Sequence, residues 1–260
     1  MLQQIKHIIR LLHSASLMLD DFQDSSPLRR GKPSTHVVFG APQTTNAAMY
    51  WIVQATQFAQ RLPDQTCAHI ITDSLSTLFL GQAHDLNTTY TSKCPSVKEY
   101  LQMIDSKTGA LFDLMVHFML RHSTIPVDGD AVRQFVQLLG RHFQIRDDYK
   151  NLASPEYGQQ KGFCEDLDEG KYSLPMIHVL NSGADNGIVR NLLAARHMSG
   201  KMKYEQKLLI LEQLNQAGSL KYTESVLQAM YLTITSRLDG LANDLGPNPA
   251  VAKLCSMLKV

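Results

Sequence analysis

Three aspartates stand close together near the end of the first apolar segment of the chain. In the stretch LMLDDFQD they are Asp20, Asp21 and Asp24. Residues four apart on a helix are neighbours on one face, so the side chains of Asp20 and Asp24 should converge. Their repulsion adds to the partial negative charge of a helix C-terminus. Because Mg²⁺ prefers carboxylate and phosphate oxygens, we interpret the cluster as a metal site; a solvated helix end is the alternative.

A second acidic cluster lies near the end of another apolar segment, in the stretch FQIRDDYKN. Asp147 and Asp148 are adjacent, and Asn151 follows Asp147 by four residues, about one helical turn. Asn151 offers a neutral oxygen ligand where the first cluster has a third aspartate. Two acidic helix ends in one chain suggest a facing pair with metal between them, which is a stronger prediction than either cluster supports alone.

Basic side chains accompany both clusters along the chain. They are Arg29, Arg30, Lys107, Lys161 and Lys171. Each lysine taken alone is more often plain surface. Together with the carboxylates, however, the set suits a substrate that carries a diphosphate, because arginine donates planar, bidentate hydrogen bonds to phosphate oxygens.

Helices must position these groups, because apolar residues recur mostly at three- and four-residue spacings and alternating strand patterns are scarce. The predicted helices cover residues 5–22, 44–61, 65–85, 96–121, 130–152, 174–181, 185–197, 204–217 and 221–245, with a short one after Pro249. The fifth takes Asp130 as its N-cap. Several exceed about 20 residues, or roughly 30 Å. The predicted fold is all-α, with helices long enough to surround a deep central cavity.

Composition and charge exclude several classes of protein. The chain has 260 residues, of which 44% are hydrophobic and 19% charged, enough to bury a sizeable core. With a net charge of +1, the chain as a whole is not basic enough to indicate binding to nucleic acid or to a membrane surface. Charged residues interrupt the N-terminal apolar segment, so we expect neither a signal peptide nor a transmembrane segment. Four cysteines without a CxxC pair predict reduced thiols in a cytoplasmic protein.

The sequence resembles trans-prenyltransferases, the all-helical isoprenyl diphosphate synthases, and in particular fungal geranylgeranyl diphosphate synthases and the prenyltransferase halves of bifunctional terpene synthases. The matching stretches are LHSASLMLDDFQDSSPLRRGKPSTHVVFG, KTGALFDL, FQIRDDYKNL and KGFCEDLDEGKYSLP. Two Asp-rich motifs in this order, with Arg-Arg after the first, are a specific signal. The resemblance implies an isoprenoid-synthase-type bundle, with residues 1–260 as a single prenyltransferase domain that is N-terminally truncated relative to the family.

The resemblance also implies a reaction and a set of site residues. An allylic diphosphate ionises, the double bond of isopentenyl diphosphate attacks the carbocation, and loss of a proton gives a product five carbons longer. Three Mg²⁺ ions are expected on the allylic diphosphate, held by Asp20, Asp21, Asp24, Asp147, Asp148 and Asn151. Residues expected at the allylic diphosphate and its reacting end are Arg29, Lys107, Thr108, Gln144, Lys161 and Lys171. Arg30 is assigned to isopentenyl diphosphate.

Product length is expected to follow from the floor of the cavity. In this family bulky side chains one turn before the first motif shorten the product. Ala15 and Ser16 are small, so the extension of farnesyl diphosphate to the C20 product is expected rather than a stop at C15. Deeper candidates for the floor are Met49, Tyr50, Ile52 and Val53. The modest size of Ile52 and Val53 leaves a C25 product open.

Three other interpretations stay open. A terpene cyclase shares the first motif but needs an Asn/Ser/Glu triad downstream, and NDLGPNPAV has Pro247 and Val251 where the hydroxyl and the glutamate are required. A non-catalytic or weakly active subunit or fragment is favoured by the lack of a Gly-Lys-x-x-Arg element before the first motif. A purely structural helical protein is the third. The resemblance also implies a homodimer or a higher homo-oligomer.

Overall fold

A computed structural model describes residues 1–154, 162–183 and 186–259. Its helices are α1 (Leu2–Gln23), α2 (Thr35–Phe39), α3 (Ala41–Gln60), α4 (Cys67–Thr91), α5 (Val97–Ile104), α6 (Ala110–Arg121), α7 (Gly129–Ala153), α8 (Glu165–Glu169), α9 (Leu174–Asn181), α10 (Gly187–Ser199), α11 (Tyr204–Gln216), α12 (Ser219–Leu245) and α13 (Pro249–Met257). A π-helical turn, Asp105–Gly109, joins α5 to α6. The prediction of an all-α fold is confirmed.

The π-helical turn divides the segment that the apolar spacing predicted as one helix over 96–121. Gly81 of α4 packs directly against it, since a Cβ on Gly81 would lie 2.4 Å from the backbone nitrogen of Lys107. On the other side Arg141 of α7 donates two hydrogen bonds, of 2.7 and 2.6 Å, to the carboxylate of Asp105. The turn is therefore held between α4 and α7. Such π-helical turns inside α-helices often occur at functional sites.

The start of α7 corrects one expected cap. The N-cap is Asp128, whose carboxylate accepts hydrogen bonds from the backbone nitrogens of Asp130 and Ala131 at 3.0 and 3.1 Å. Asp130, the predicted cap, instead pairs with Arg133 at 2.5 Å. The helix takes the earlier aspartate because Asp128 has the extended backbone that a capping residue needs.

A short antiparallel ladder turns the chain back after α1. Its strands are β1 (Leu28–Arg29) and β2 (Lys32–Pro33), with Arg29 paired to Lys32. The two residues between them, Arg30 and Gly31, both have positive φ, of 55° and 74°. This tight turn returns the Arg29 side chain towards the end of α1, where the first acidic cluster lies.

Two hydrophobic clusters support the ends of the helices that carry the acidic motifs. The first joins α1, α3, α4 and α6, through Ile5, Ile8, Leu12, Ala55, Ala59, Leu62, Cys67, Ile71, Leu114 and Phe118. The second packs around α7 and α9 and includes Ile145, Leu152, Leu174, Ile177, Leu180, Ile210 and Leu227. The residues at three- and four-residue spacing thus form the core, as amphipathic helices require.

The hollow between α1, α4 and α6 is narrow. A void of about 10 Å³ there is lined by Leu12, Ser74, Leu75, Leu78, Ala110, Leu111 and Leu114. That volume is about the space that one water molecule needs, so a prenyl chain at this place requires the surrounding side chains to move. Across the described ranges, no helix is both long and apolar enough to cross a membrane.

Candidate active site

Arg29 holds two aspartates of the first motif at the C-terminal end of α1. Its Nε donates to Asp21 Oδ1 at 2.7 Å, its Nη2 contacts the same carboxylate, and Nη2 lies 3.5 Å from Asp20 Oδ2. Asp21 is 3% exposed, so this ion pair is shielded from water. Burial favours the neutral guanidine, but the charges of Asp21 and Asp20 outweigh it and raise the pKa of Arg29. The arginine therefore stays charged and fixes the motif from one side.

Lys107, on the π-helical turn, bridges α1 and α4. Its Nζ lies 2.9 Å from Asp20 Oδ1 and 2.6 Å from Asp85 Oδ2. Although burial favours the neutral amine, the charges of Asp85 and Asp20 raise the pKa of Lys107. Burial likewise opposes ionisation of Asp20, but Lys107, Lys171 and Arg29 together lower its pKa. Asp20 is therefore a fixed anion surrounded by fixed cations.

Lys171 occupies the corresponding place beside the third aspartate of the first motif. Its Nζ lies 3.2 Å from Asp24 Oδ2 and 2.6 Å from Glu169 Oε2, and Ser26 Oγ donates to Glu169 Oε1 at 2.8 Å. Burial raises the pKa of Asp24 to about 7; the charge of Lys171 opposes this shift, and the charges of Glu169 and Asp20 add to it. Burial and the neighbouring carboxylates together therefore outweigh the stabilisation that Lys171 gives to the Asp24 carboxylate.

Neutral hydrogen bonds hold Asp148 of the second motif, near the end of α7. Asp148 accepts from the Tyr100 hydroxyl at 2.6 Å and from Gln144 Nε2 at 2.8 Å. Thr108 Oγ1 in turn donates to Gln144 Oε1 at 2.8 Å. Burial raises the pKa of Asp148 to about 6, against the hydrogen bonds from Tyr100 and Gln144. Thr108, Gln144 and Asp148 therefore form one chain of hydrogen bonds from the π-helical turn to the second motif.

Both motifs lie in the field of the same cations. The charge of Lys171 favours the ionised form of both Asp20 and Asp148, one from each motif, although burial still raises the pKa of Asp148. Among the charges that raise the pKa of Arg29, Asp147 of the second motif acts beside Asp21 and Asp20 of the first. Both acidic helix ends are thus close enough to the same cations to interact with them.

A polar cavity of about 320 Å³ opens beside this cluster of charges. It is lined by Gln23, Asp24, Ser25, Asp85, Leu86, Thr89, Tyr90, Glu165, Asp168, Glu169, Lys171, Arg196, His197, Gly200 and Lys201. Its wall joins the end of α1, one face of α4 and the segment around α8. A small, highly charged ligand can therefore reach Asp24 and Lys171 from outside.

Sequence comparison decides the family. The polyprenyl synthetase family model matches residues 1–209 of the chain. This chain belongs to the polyprenyl synthetase family. The resemblance drawn from the two Asp-rich motifs is thereby confirmed.

The relatives that this chain matches include both shorter and longer proteins. Geranylgeranyl pyrophosphate synthase 2 of Gibberella fujikuroi is 43% identical over 260 residues, which are 98% of this chain and 66% of that protein. Phomopsene synthase of Phomopsis amygdali is 44% identical over 262 residues, 100% of this chain and 36% of the relative. Ophiobolin F synthase of Aspergillus calidoustus is 42% identical over 270 residues, 99% of this chain and 37% of the relative. The chain spans just over a third of the two longer proteins.

The carboxylates of this family member fit a hard divalent cation. Within the described part of the chain, no three His, Cys, Asp or Glu side chains are already arranged to share a metal ion. The ion-pair network instead joins five carboxylates to three cations, namely Asp20, Asp21, Asp24, Asp85 and Glu169 to Arg29, Lys107 and Lys171. Oxygen donors with an excess of negative charge are the donor set that Mg²⁺ prefers.

Other predicted residues of the site lie outside the ion-pair network or outside the described residues. Asn151 Oδ1 accepts a hydrogen bond from the backbone nitrogen of Asp166 at 3.2 Å, and Asn151 is 4% exposed. Its oxygen therefore joins α7 to α8, and its role as a metal ligand stays a prediction. Arg30 is exposed on the turn between β1 and β2. Lys161 lies outside the described residues.

Three of the residues predicted at the floor of the cavity need a correction. Met49, Tyr50 and Val53 are 59, 59 and 53% exposed on the outer face of α3, so in the described chain they do not line an interior hollow. Ile52 is partly buried and packs against the cluster between α1 and α3. Ala15 is fully buried, as a position beside an interior hollow requires. Ser16 Oγ donates back to the carbonyl of His13 at 2.9 Å.

Sequence reasoning missed four residues that hold the site. They are Gln82, Asp85, Tyr100 and Glu169. Gln82 Nε2 donates to Gln23 Oε1 at 2.9 Å, and lies 3.5 Å from Asp20 Oδ1. The three-residue spacing of Gln82 and Asp85 places both on one face of α4 and was a readable signal. The contacts of Tyr100 with Asp148 and of Glu169 with Ser26 are long-range, and the spacing of residues along the chain does not predict them.

Proposed function

We propose that this chain is a Mg²⁺-dependent prenyltransferase that joins farnesyl diphosphate to isopentenyl diphosphate and forms geranylgeranyl diphosphate. The observation that carries the proposal is the pair of acidic helix ends in the field of Arg29 and Lys171, beside an open polar cavity. Membership of the polyprenyl synthetase family supports it. So does the 43% identity to a fungal geranylgeranyl pyrophosphate synthase.

The proposed reaction breaks one bond and forms another without an external oxidant or reductant. The C–O bond of the allylic diphosphate breaks, and the diphosphate leaves with the bonding electron pair. The double bond of isopentenyl diphosphate supplies the electrons of the new C–C bond. Loss of a proton from a neighbouring carbon then restores a double bond. Departure of the diphosphate is the step for which the site must stabilise charge.

Asp20, Asp24 and Asp148 are the carboxylates that we expect to hold Mg²⁺, with Asp147 beside them. Bound there, Mg²⁺ would neutralise the charge that develops on the departing diphosphate. Asp21 is held by Arg29 and keeps that guanidinium in place. Within the first motif Asp20 and Asp24 are the aspartates that contact a lysine: Asp20 contacts Lys107 of the π-helical turn, and Asp24 contacts Lys171 and lines the cavity.

The two lysines act as fixed cations that can change partners. Lys107 has a carboxylate from the motif, Asp20, and one from α4, Asp85. Lys171 has Asp24 from the motif and Glu169 from α8. When a metal engages the motif, each lysine can give up its motif carboxylate for a phosphate oxygen, while its second carboxylate keeps it oriented. Preorganisation of this kind lowers the cost of stabilising the leaving group.

The hydrogen-bonded chain from Thr108 through Gln144 to Asp148 fixes dipoles near the reacting end of the substrate. Gln144 accepts from Thr108 and donates to Asp148, so its amide has one orientation. The apolar helices α1, α4 and α6 exclude water from the hollow that would take the prenyl chain. Exclusion of water protects a carbocation from being quenched.

A C25 product is the second candidate. A bifunctional sesterterpene synthase of Aspergillus aculeatus is 48% identical over 227 residues, 87% of this chain and 32% of that protein. Ala15 is fully buried beside Leu12, whose side chain lines the narrow void. The small side chain at 15 places no block at C15, and it favours neither C20 nor C25.

The test is product analysis with the purified chain. Farnesyl and labelled isopentenyl diphosphate are incubated with Mg²⁺, and the dephosphorylated products are separated by chain length. We expect a C20 alcohol that disappears on addition of EDTA. A C25 alcohol would support the second candidate, and no extension by the folded chain would support a non-catalytic subunit. Lys221→Met, which changes an exposed lysine of α12, is the control variant.

Two variants test the floor of the hollow. Ala15→Phe combined with Ser16→Phe should fill the space beside Leu12 and shift the product towards C15. An unchanged product profile in a folded double variant would reject Ala15 as part of the floor. We also propose a homodimer or higher homo-oligomer, which light scattering of the purified chain can test.

A further inference from the structure

Asp168 lies in the wall of the polar cavity and joins α8 to α10 and α11. Its Oδ2 lies 2.6 Å from Lys207 Nζ of α11, and its Oδ1 accepts from the backbone nitrogen of Met202 at 3.0 Å. Its main-chain carbonyl accepts from Arg196 Nε of α10 at 2.5 Å. Three separate points of the α10–α11 pair therefore converge on one residue of the five-residue helix α8.

The residues that follow Asp168 reach the acidic site. Glu169 accepts from Ser26 and pairs with Lys171, and Lys171 reaches Asp24 of the first motif. Asp168 thus faces α10 and α11, while its two near neighbours along the chain face α1. A displacement of α8 would move Lys171 relative to Asp24.

Gly170 lies between Asp168, which contacts α10 and α11, and Lys171, which contacts the first motif. Because Gly170 has no side chain, Arg196 can come close to the backbone here. The φ of Gly170 is +74°, and a Cβ on it would lie 2.7 Å from Nη1 and 3.0 Å from Cζ of Arg196. A side chain at this position would therefore both strain the backbone and push the guanidinium away. The absence of a side chain allows Arg196 to lie against the backbone that leads into Lys171.

Burial of Lys207 costs desolvation free energy, and a gain in stability alone does not explain why the charge is buried. It is 7% exposed, and its Nζ also donates to the carbonyl of Phe163 at 2.7 Å. Burying an ion pair costs desolvation of both charges, so replacement by apolar residues is often neutral or stabilising. The best-attested use of such a pair is to fix one arrangement among several. Here the arrangement that it fixes is that of α8.

We propose that Asp168, Lys207 and Arg196 are positioning residues that hold Lys171 at the diphosphate site. The inference rests on the proposed function, because it gives Lys171 its role as a ligand of diphosphate. Lys207 itself touches no reacting group. It acts on the site through Asp168 and the short backbone path to Lys171.

The test is a double-mutant cycle read out as binding of inorganic diphosphate in the presence of Mg²⁺, by isothermal titration calorimetry. Lys207→Met should weaken binding about tenfold, as loss of an outer-shell partner commonly does. Lys171→Met should weaken it at least as much. In the Lys171→Met background, Lys207→Met should add less than about a twofold change, because its effect passes through Lys171. A full further loss of about tenfold there, or an unchanged affinity in folded Lys207→Met, would overturn the proposal.

Asp168→Asn covers the case in which Lys207→Met fails to fold, since the amide keeps the shape and the acceptor for Met202 while it removes the charge. It should show the same dependence on Lys171. Lys221→Met, at an exposed position of α12, is the matched control and should leave binding unchanged.

A measurement without any ligand separates this proposal from the proposed function. Backbone hydrogen exchange over residues 164–171 should be faster in Lys207→Met and unchanged in Lys221→Met. If the wild-type chain does not bind diphosphate with Mg²⁺, the proposed function fails, and the exchange rates alone then decide on the positioning role. Equal exchange in wild type and Lys207→Met would overturn it.

Discussion

The two acidic motifs look alike along the chain, but the structure holds them by different means. In the first motif all three carboxylates, Asp20, Asp21 and Asp24, contact a lysine or an arginine. In the second, the Tyr100 hydroxyl and the Gln144 amide donate to Asp148. Charged partners can be exchanged for a metal and a phosphate, whereas a tyrosine hydroxyl fixes a carboxylate in place. Asp20 and Asp24 of the first motif can therefore change partners, whereas Asp148 of the second motif is fixed in place.

The largest expected effect is at Asp24. Asp24→Asn should lower turnover about a thousandfold, because it removes a charge that stabilises the departing diphosphate through the metal. In EDTA at pH 8 the same variant should be more stable than wild type, by on the order of 1 kcal/mol. Turnover is measured with farnesyl and isopentenyl diphosphate, and stability by urea unfolding.

The sign of the stability change follows from the direction of the pKa shift. Burial raises the pKa of Asp24 to about 7 from 3.8, so the folded protein binds the proton more tightly than the unfolded chain. Stability from this group is present at low pH and is lost as the pH rises through about 7. Asp239→Asn, at an exposed position of α12, is the control and should change neither quantity. A loss of stability in Asp24→Asn at pH 8 would contradict the difference drawn between the motifs.

Tyr100→Phe should give the opposite combination at the second motif. Removal of the hydroxyl that donates to buried Asp148 should cost about 2 kcal/mol of stability. It should also lower turnover about tenfold, since Asp148 loses a partner that orients it. Tyr50→Phe, at a residue that is 59% exposed on the outer face of α3, is the matched control. If Tyr100→Phe lowers turnover and leaves the free energy of unfolding unchanged, the second motif is not held as described.

Gly81→Ala tests how closely α4 must approach the π-helical turn that links the two motifs. A Cβ there would lie 2.4 Å from the backbone nitrogen of Lys107, so the turn must shift. We expect a loss of about 1–3 kcal/mol in stability and about tenfold in turnover. Gly240→Ala in α12 is the control: among the described residues nothing lies within 4 Å of its Cβ position. It should gain about 0.5–1 kcal/mol from helix propensity and keep full turnover.

The last effect is confined to low pH and concerns the helix that carries the second motif. His142 of α7 is fully buried, and burial lowers its pKa to about 4 from 6.5. As the pH falls from 6.5 towards 4, the unfolded chain takes up the proton first, and stability should fall by about 2 kcal/mol from this residue. Urea unfolding of wild type and His142→Leu across this range isolates the effect as a difference between the two. Parallel pH curves would rule out the burial of a neutral imidazole.

Apolar spacing predicted the long helices because each of them buries one stripe of side chains. The predicted helix over 174–181 coincides with α9, and Ser96 begins α5 with a capping box, as its position at the start of a predicted helix suggested. Spacing failed for α2, α8 and the π-helical turn. Each has five residues, too few for a period of 3.6 to show. The close packing of Gly81 against the π-helical turn joins segments that lie far apart in the sequence, so apolar spacing does not predict it either.

The site was predictable where its residues share a helix and unpredictable where they do not. Asp20 and Asp24 could be placed together from their spacing, but Asp85 and Glu169, the carboxylates that share Lys107 and Lys171 with them, come from other segments. The floor of the cavity failed for another reason. On α3 the small residues Ala48, Ala55 and Ala59 are buried, and the larger Met49, Tyr50 and Val53 are exposed. A prediction from side-chain size alone places the larger residues inside and the alanines outside. Such a prediction leaves out the close packing of α1 on α3, which requires small side chains between the two helices.

The most direct test of the proposed magnesium–diphosphate site is a crystal structure with Mn²⁺ and inorganic diphosphate, with the metal located by anomalous scattering. We predict manganese in contact with carboxylate oxygens of Asp20 or Asp24 from α1 and of Asp148 from α7, and with the diphosphate between them. Lys107 and Lys171 should then contact phosphate oxygens. Manganese bound to one motif alone, or diphosphate bound away from both, would contradict the account.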